Sequence, residues 1–165
     1  MADFFVLIKS LVGQVKGLVV EEMRPEGFLI RTDIEPIERI FVSPATSDTV
    51  LFWLPEEMLF FRTKREIPSW LPDFLEKRTK DKLAKWTLND TGDGFIYNLE
   101  YIARMNDLTP KNFEKICFST VSEKISLMFW VATMTKVIHH KPLTELNPDP
   151  VDFQIGLPKS PKGSQ

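Results

Sequence analysis

The sequence predicts an α+β domain, an antiparallel sheet packed by N-terminal, central and long C-terminal helices in the order α-β-β-β-(β)-α-β-β-α. Three observations carry this expectation. An apolar stripe at helical spacing opens the chain, short runs of β-branched and aromatic residues punctuated by Pro and Gly follow, and a second helical stripe succeeds a Gly-rich hairpin. With 165 residues, 43% hydrophobic and 27% charged, the chain has enough apolar surface for one core.

Phe4, Phe5, Ile8, Leu11, Val12 and Val15 line one face of a first helix, and Gly17 is its expected stop before Leu18-Val19-Val20. Arg24-Pro25-Glu26-Gly27 then carries turn residues between Val19–Met23 and Phe28–Thr32, the mark of a hairpin. Ile37–Val42 and Val50–Leu54 add two strands, separated by the loop 43–48, with Met58–Arg62 as a further short one. Ser69 to Arg78 combines a capping Ser, a Pro in the first turn and an apolar face of Trp70, Leu71, Phe74 and Leu75, which predicts a short central helix. Lys85–Leu88 and Phe95–Met105 flank Asn89-Asp90-Thr91-Gly92-Asp93-Gly94 as a second hairpin, Gly92 and Gly94 being expected at positive φ. Thr109-Pro110 caps a last helix that runs to about Ile138, its second half apolar nearly all round. This gives a domain over residues 1–140 and a Pro-rich, extended or partly disordered tail over 141–165, in which Val151–Ile155 has the pattern of an edge strand or a short peptide ligand.

The N-terminal apolar run follows Asp3 and is interrupted by Lys9 and Lys16, so it belongs to the fold and not to a signal peptide. No uninterrupted run of about 18 apolar residues predicts a membrane span. Cys117 alone cannot form an intrachain disulfide and suits a reducing compartment, so the expected location is the cytoplasm.

Chemistry-bearing motifs are sparse. Asn89 to Glu100 matches a calcium-loop template at Gly94 and Glu100, but Asn89 and Thr91 replace acidic ligands and the flanks alternate like strands, so a hairpin turn explains the same residues. His139-His140 has no ligand partner at metal spacing, and Cys117 shares the stripe of Phe113 and Val121. G-x-S-x-G, Walker, G-x-G-x-x-G and H-E-x-x-H motifs are missing. The expectation is a non-enzymatic protein with no catalytic residue, metal or cofactor.

Thirteen Phe and four Trp exceed what one core of this size needs. Phe52, Trp53, Phe60 and Phe61 are the candidates for binding a protein client, and Phe129 and Trp130 for self-association as a homodimer. Whether helices cover both faces of the sheet is left open by the pattern. The net charge of −2 provides no global attraction for nucleic acid, but Arg62 to Lys85 holds eight basic against four acidic residues. Lys64, Arg65, Lys77 and Arg78 are therefore the alternative candidates, for a polyanion or small ligand.

The order of elements resembles the type III secretion chaperone-like fold, and within it the YbjN-like branch. The resemblance rests on Trp70-Leu71-Pro72-Asp73-Phe74-Leu75-Glu76-Lys77-Arg78, on Lys85-Trp86-Thr87-Leu88 and on Asp107-Leu108-Thr109-Pro110-Lys111-Asn112-Phe113, and it covers about residues 1 to 138. It extends to small proteins of cyanobacteria and plastids, although Lys77 and Arg78 stand where relatives tend to have Asn. What it implies is a non-enzymatic, often dimeric protein that binds segments of other proteins.

Overall fold

The computed structural model describes residues 2–138 and 141–148. Helix α1, Ala2–Gln14, buries Phe4, Ile8, Leu11 and Val12 along its predicted stripe. Each such burial contributes about 1.5–3 kcal/mol. Gly17, at φ +89°, turns the chain into β1, Leu18–Arg24, which pairs with β2, Gly27–Thr32. Strand β3 is Arg39–Pro44 and β4 is Thr49–Phe61. Helix α2, Leu71–Thr79, leads to the hairpin of β5, Lys85–Asp90, and β6, Phe95–Arg104. Helix α3 spans Pro110–Ala132 and continues as a π-helix over Thr133–Ile138. The six strands of the described residues are antiparallel throughout, in the order β1-β2-β3-β4-β6-β5.

Several local expectations are refined by the packing. The runs around Val50 and Met58 form one strand, because β6 pairs with both: Pro55 stands opposite Asn98 and Phe60 opposite Ile96. Residues 56–59 of β4 thus face Tyr97 alone, and this bulge changes which residues point inward, from even numbers up to Glu56 to Leu59 and Phe61 beyond it. Pro55 is tolerated because the pairing with β3 ends at Phe41–Trp53. Helix α2 starts one turn-position later than the capping Ser69 suggested, with Trp70 before it and no side-chain cap. At α3 the capping expectation holds: the Asn112 N–H donates to Thr109 Oγ1 at 3.2 Å.

Of the two glycines in the 91–94 turn only Gly92 has positive φ, at +84°. Gly94 is required by close approach instead, since a Cβ there would lie 2.5 Å from the Phe60 ring and 2.6 Å from the Phe61 carbonyl oxygen. Asn89 donates to Glu100 Oε1 at 2.9 Å across the hairpin, so two residues of the calcium template bond each other between strands.

Helices α1, α2 and α3 lie on one sheet face and enclose two apolar clusters. The first joins α1 and the front half of α3 to β1–β4, and the second joins α2 and the rear of α3 to Leu59, Phe61 and Tyr97. Leu143 and Leu146 pack into the second cluster, and Trp70 Nε1 donates to the Leu146 carbonyl at 2.9 Å. Residues 141–148 are therefore part of the folded unit, a correction to a tail starting at 141: two leucines in a Pro-rich context are enough to anchor it. His139-His140 and Val151–Ile155 lie outside the described residues.

Candidate functional site

The sheet face away from the helices carries an apolar patch among otherwise polar positions. Strand alternation and register place Leu29, Phe41, Trp53, Glu100 and Lys85 side by side across five strands. The rings of Phe41 and Trp53 stack with centroids 4.3 Å apart and planes 17° apart. Next to this row Leu51 faces Ile102, which is 59% exposed, and further along the same face Phe60 is 41% exposed. Charged and polar groups border the patch: Arg39 pairs with Glu21 at 2.9 Å, Arg31 with Asp33 at 3.5 Å, and Asn89 bonds Glu100. Asn98, on this face by alternation, is buried with its Oδ1 unpartnered. An apolar centre with a polar border is the general form of a protein-contact surface.

The aromatic residues expected to contact a client divide by strand parity. Trp53 and Phe60 point outward and belong to this face, whereas Phe52 and Phe61 are buried beneath the helices. Phe52 packs edge-on against Phe113 of α3 at 5.7 Å, so it is a core residue and is corrected as a client contact. The same applies to Trp130, which is 1% exposed and lies among Phe74 and Trp70, while its neighbour Phe129 is 71% exposed. A helix turns about 100° per residue, so adjacent aromatics cannot both face a partner. Phe41, Leu51 and Ile102 were missed, although the alternation was legible: Ile40 and Val42 inward leaves Phe41 outward.

The basic segment does not form one cationic surface. Arg78 is fully buried, donates from Nε to Glu123 Oε1 at 2.8 Å and bonds Ser126 Oγ at 2.9 Å, so it is corrected as a polyanion ligand. Lys82 pairs with the other Glu123 oxygen, and Trp86 Nε1 donates to Glu123 at 3.3 Å. Lys85 is held by the carbonyls of Thr79 and Lys80. Lys64 sits over the Phe95 ring at 5.2 Å, while Arg65 and Lys77 are exposed beside Glu66 and Glu76.

This ionic seam separates the two apolar clusters. Glu123 and, one residue on, Lys124 occupy α3 between them, and Lys124 Nζ bonds Glu38 Oε2 at 2.7 Å. Glu123 was legible as a buried acid, because it follows Ile116 and Thr120 at helical spacing on the core stripe. Glu56 also points inward here, with Oε2 unpartnered, and burial raises its pKa above the ordinary carboxylate value. Burial likewise pushes the Cys117 thiol far up, which keeps it protonated and unreactive. Among the described residues no three His, Cys, Asp or Glu side chains converge. No described helix is long and apolar enough to cross a membrane.

No protein-family model matches the chain, and no curated protein matches it. Among solved structures the fold is similar to that of the Yersinia pestis type III secretion chaperone SycH, determined in complex with a stable fragment of YscM2. The similarity covers 75% of this chain and 98% of that one, with a TM-score of 0.52 and 16% sequence identity. At that identity it establishes the architecture: an α+β fold of the secretion-chaperone type.

Proposed function

We propose that this protein is a non-enzymatic, chaperone-like binding protein of the cytoplasm that holds a segment of another protein on the helix-free face of its sheet. The observation that carries the reading is the stacked Phe41–Trp53 pair, which continues through Leu51 and Ile102 on a surface no described helix covers. An extended partner segment fits this surface through its apolar side chains, which lie on the aromatic row. The fold shared with a chaperone solved on a partner fragment supports the reading, and the Trp70–Arg78 and Leu108-Thr109-Pro110 segments support assignment to the YbjN-like branch.

Self-association is part of the same proposal. Phe129 stands exposed on α3, on the opposite side of the molecule from the aromatic row, so a homodimer formed there leaves the binding face open. A polyanion reading is disfavoured by the internal engagement of Arg78, Lys82 and Lys85. The test compares proteins retained from the native cell extract by the wild type and by a Phe41→Ala/Trp53→Ala variant of matched circular dichroism. One partner retained by the wild type and released by the variant supports the reading. Equal retention by both, or a salt-sensitive nucleic acid in place of a protein, contradicts it.

A further inference from the structure

The outer side of α3 carries a stripe of Phe118, Ser122, Ile125 and Phe129, whose spacing keeps them within about 60° of one another around the helix. Phe118 and Ile125 are half-buried, Ser122 is exposed, and Phe129 is 71% exposed. Beside the first part of this stripe, the connection from β2 to β3 leaves a groove of about 240 Å³. Ile34 and Pro36 form one wall, and Phe118, Val121, Ser122 and Ile125 form the other. The remaining lining is Thr32, whose hydroxyl accepts the Glu38 N–H at 2.8 Å, and Glu35, which is exposed. Ile34 is 58% exposed, so the groove has an apolar wall open to solvent.

A projecting ring and an apolar groove therefore lie on one face of one helix. A two-fold dimer requires a patch that supplies both halves of the contact, because each copy presents the same surface. The groove centres near Ser122, and Phe129 lies about 11 Å further along the axis. A two-fold axis midway, near Ile125, sets two α3 helices antiparallel and brings each copy's Phe129 to the groove of the other. Ser122 is the small residue of the stripe and leaves room for the incoming ring. We infer that the occupant of this groove is Phe129 of a second copy, an inference that rests on the self-association read at Phe129. A stripe of about 18 Å, one helix wide, with the loop beside it, buries roughly 1,000 Å² in the pair, the low end for a specific interface. The dimer is accordingly expected to be weak and to dissociate on dilution.

Sedimentation equilibrium of the full-length protein over a range of concentrations tests this, with variants of matched circular dichroism. Phe129→Ala, Ile34→Asp and Ser122→Leu should each weaken the dimer by about tenfold or more, the last by filling the groove. Ile34→Asp should add little on the Phe129→Ala background, because the two residues share one contact. Mixing the Phe129→Ala and Ile34→Asp proteins should give a pair tighter than either variant with itself, since the mixed pair keeps one intact ring and one intact groove facing each other. A dimer that Phe129→Ala abolishes but Ile34→Asp and Ser122→Leu leave at wild-type strength overturns the groove as the receiving site while self-association at Phe129 survives. A wild type that stays monomeric at every concentration overturns both.

Discussion

Trp53 on β4 and Phe41 on β3 stand directly opposite each other and stack at 4.3 Å, on the sheet face that none of the described helices covers. One position before Trp53, Phe52 turns into the core and meets Phe113. Two adjacent aromatics thus serve two purposes, one holding the fold and the other presented at its surface.

The consequence is a separation of stability from binding. Phe52→Ala should cost about 3–5 kcal/mol, as for other fully buried aromatics. Phe41→Ala and Trp53→Ala should each cost about 1 kcal/mol, the scale of a partly exposed aromatic pair. Urea unfolding of the three variants checks the ranking, and partner binding should be lost only from the Phe41 and Trp53 variants among those that remain folded.

The Arg78–Glu123 pair makes a second prediction. Both side chains are removed from solvent, and Glu123 also receives Lys82 and Trp86. Arg78→Ala should destabilise by about 3–5 kcal/mol, chiefly by leaving the carboxylate buried without its main partner. Lys77→Ala, one residue earlier on the exposed side of α2, should change stability by less than about 0.5 kcal/mol. Denaturant midpoints separate the two.

Glu56 should make stability depend on pH. Burial raises its pKa, Glu38 and Glu57 add to the shift, and Lys124 and the Met58 N–H oppose it. The folded protein therefore keeps this proton after the unfolded chain has released it at about 4.5. Its effect is most favourable at or below that pH and is lost as pH rises through the raised folded value. Glu56→Gln should consequently stabilise the protein at pH 7 relative to wild type and flatten the stability curve above pH 4.5. Melting temperatures of both proteins across that range measure it; equal slopes would contradict the assignment.

Phe129 leads to a fourth expectation. Its exposed ring on α3 is the proposed self-association contact, and Phe129→Glu should shift the protein to monomer with no loss of melting temperature. Light scattering after size exclusion reads the mass of both forms.

Much of the fold was legible because its signals are local. Stripes at helical spacing marked α1 and α3, Thr109-Pro110 marked a helix start, and the Gly-rich turn marked the β5–β6 hairpin. Where the reading was incomplete, the missing information was tertiary. The β4 bulge is set by pairing with β6, and it decides that Phe60 faces outward while Phe61 faces inward. Leu143 and Leu146 gain their anchoring from the second apolar cluster and from Trp70, more than seventy residues away in sequence. Arg78 has the composition of a solvated face and becomes a buried ion because Glu123 arrives from α3. The binding face was half legible: period two separates Trp53 from Phe52, but which side the helices would cover is fixed only by packing.

The central claim is that a partner lies on the Phe41–Trp53–Ile102 surface. It is tested most directly by placing a photo-reactive phenylalanine analogue at Ile102, and separately at exposed Glu114 on α3, in cells that make the protein. The account predicts that irradiation links one discrete partner to position 102, that Trp53→Ala abolishes the adduct, and that position 114 gives none. Adducts from 114 equal to those from 102, or an adduct at 102 indifferent to Trp53→Ala, would contradict it.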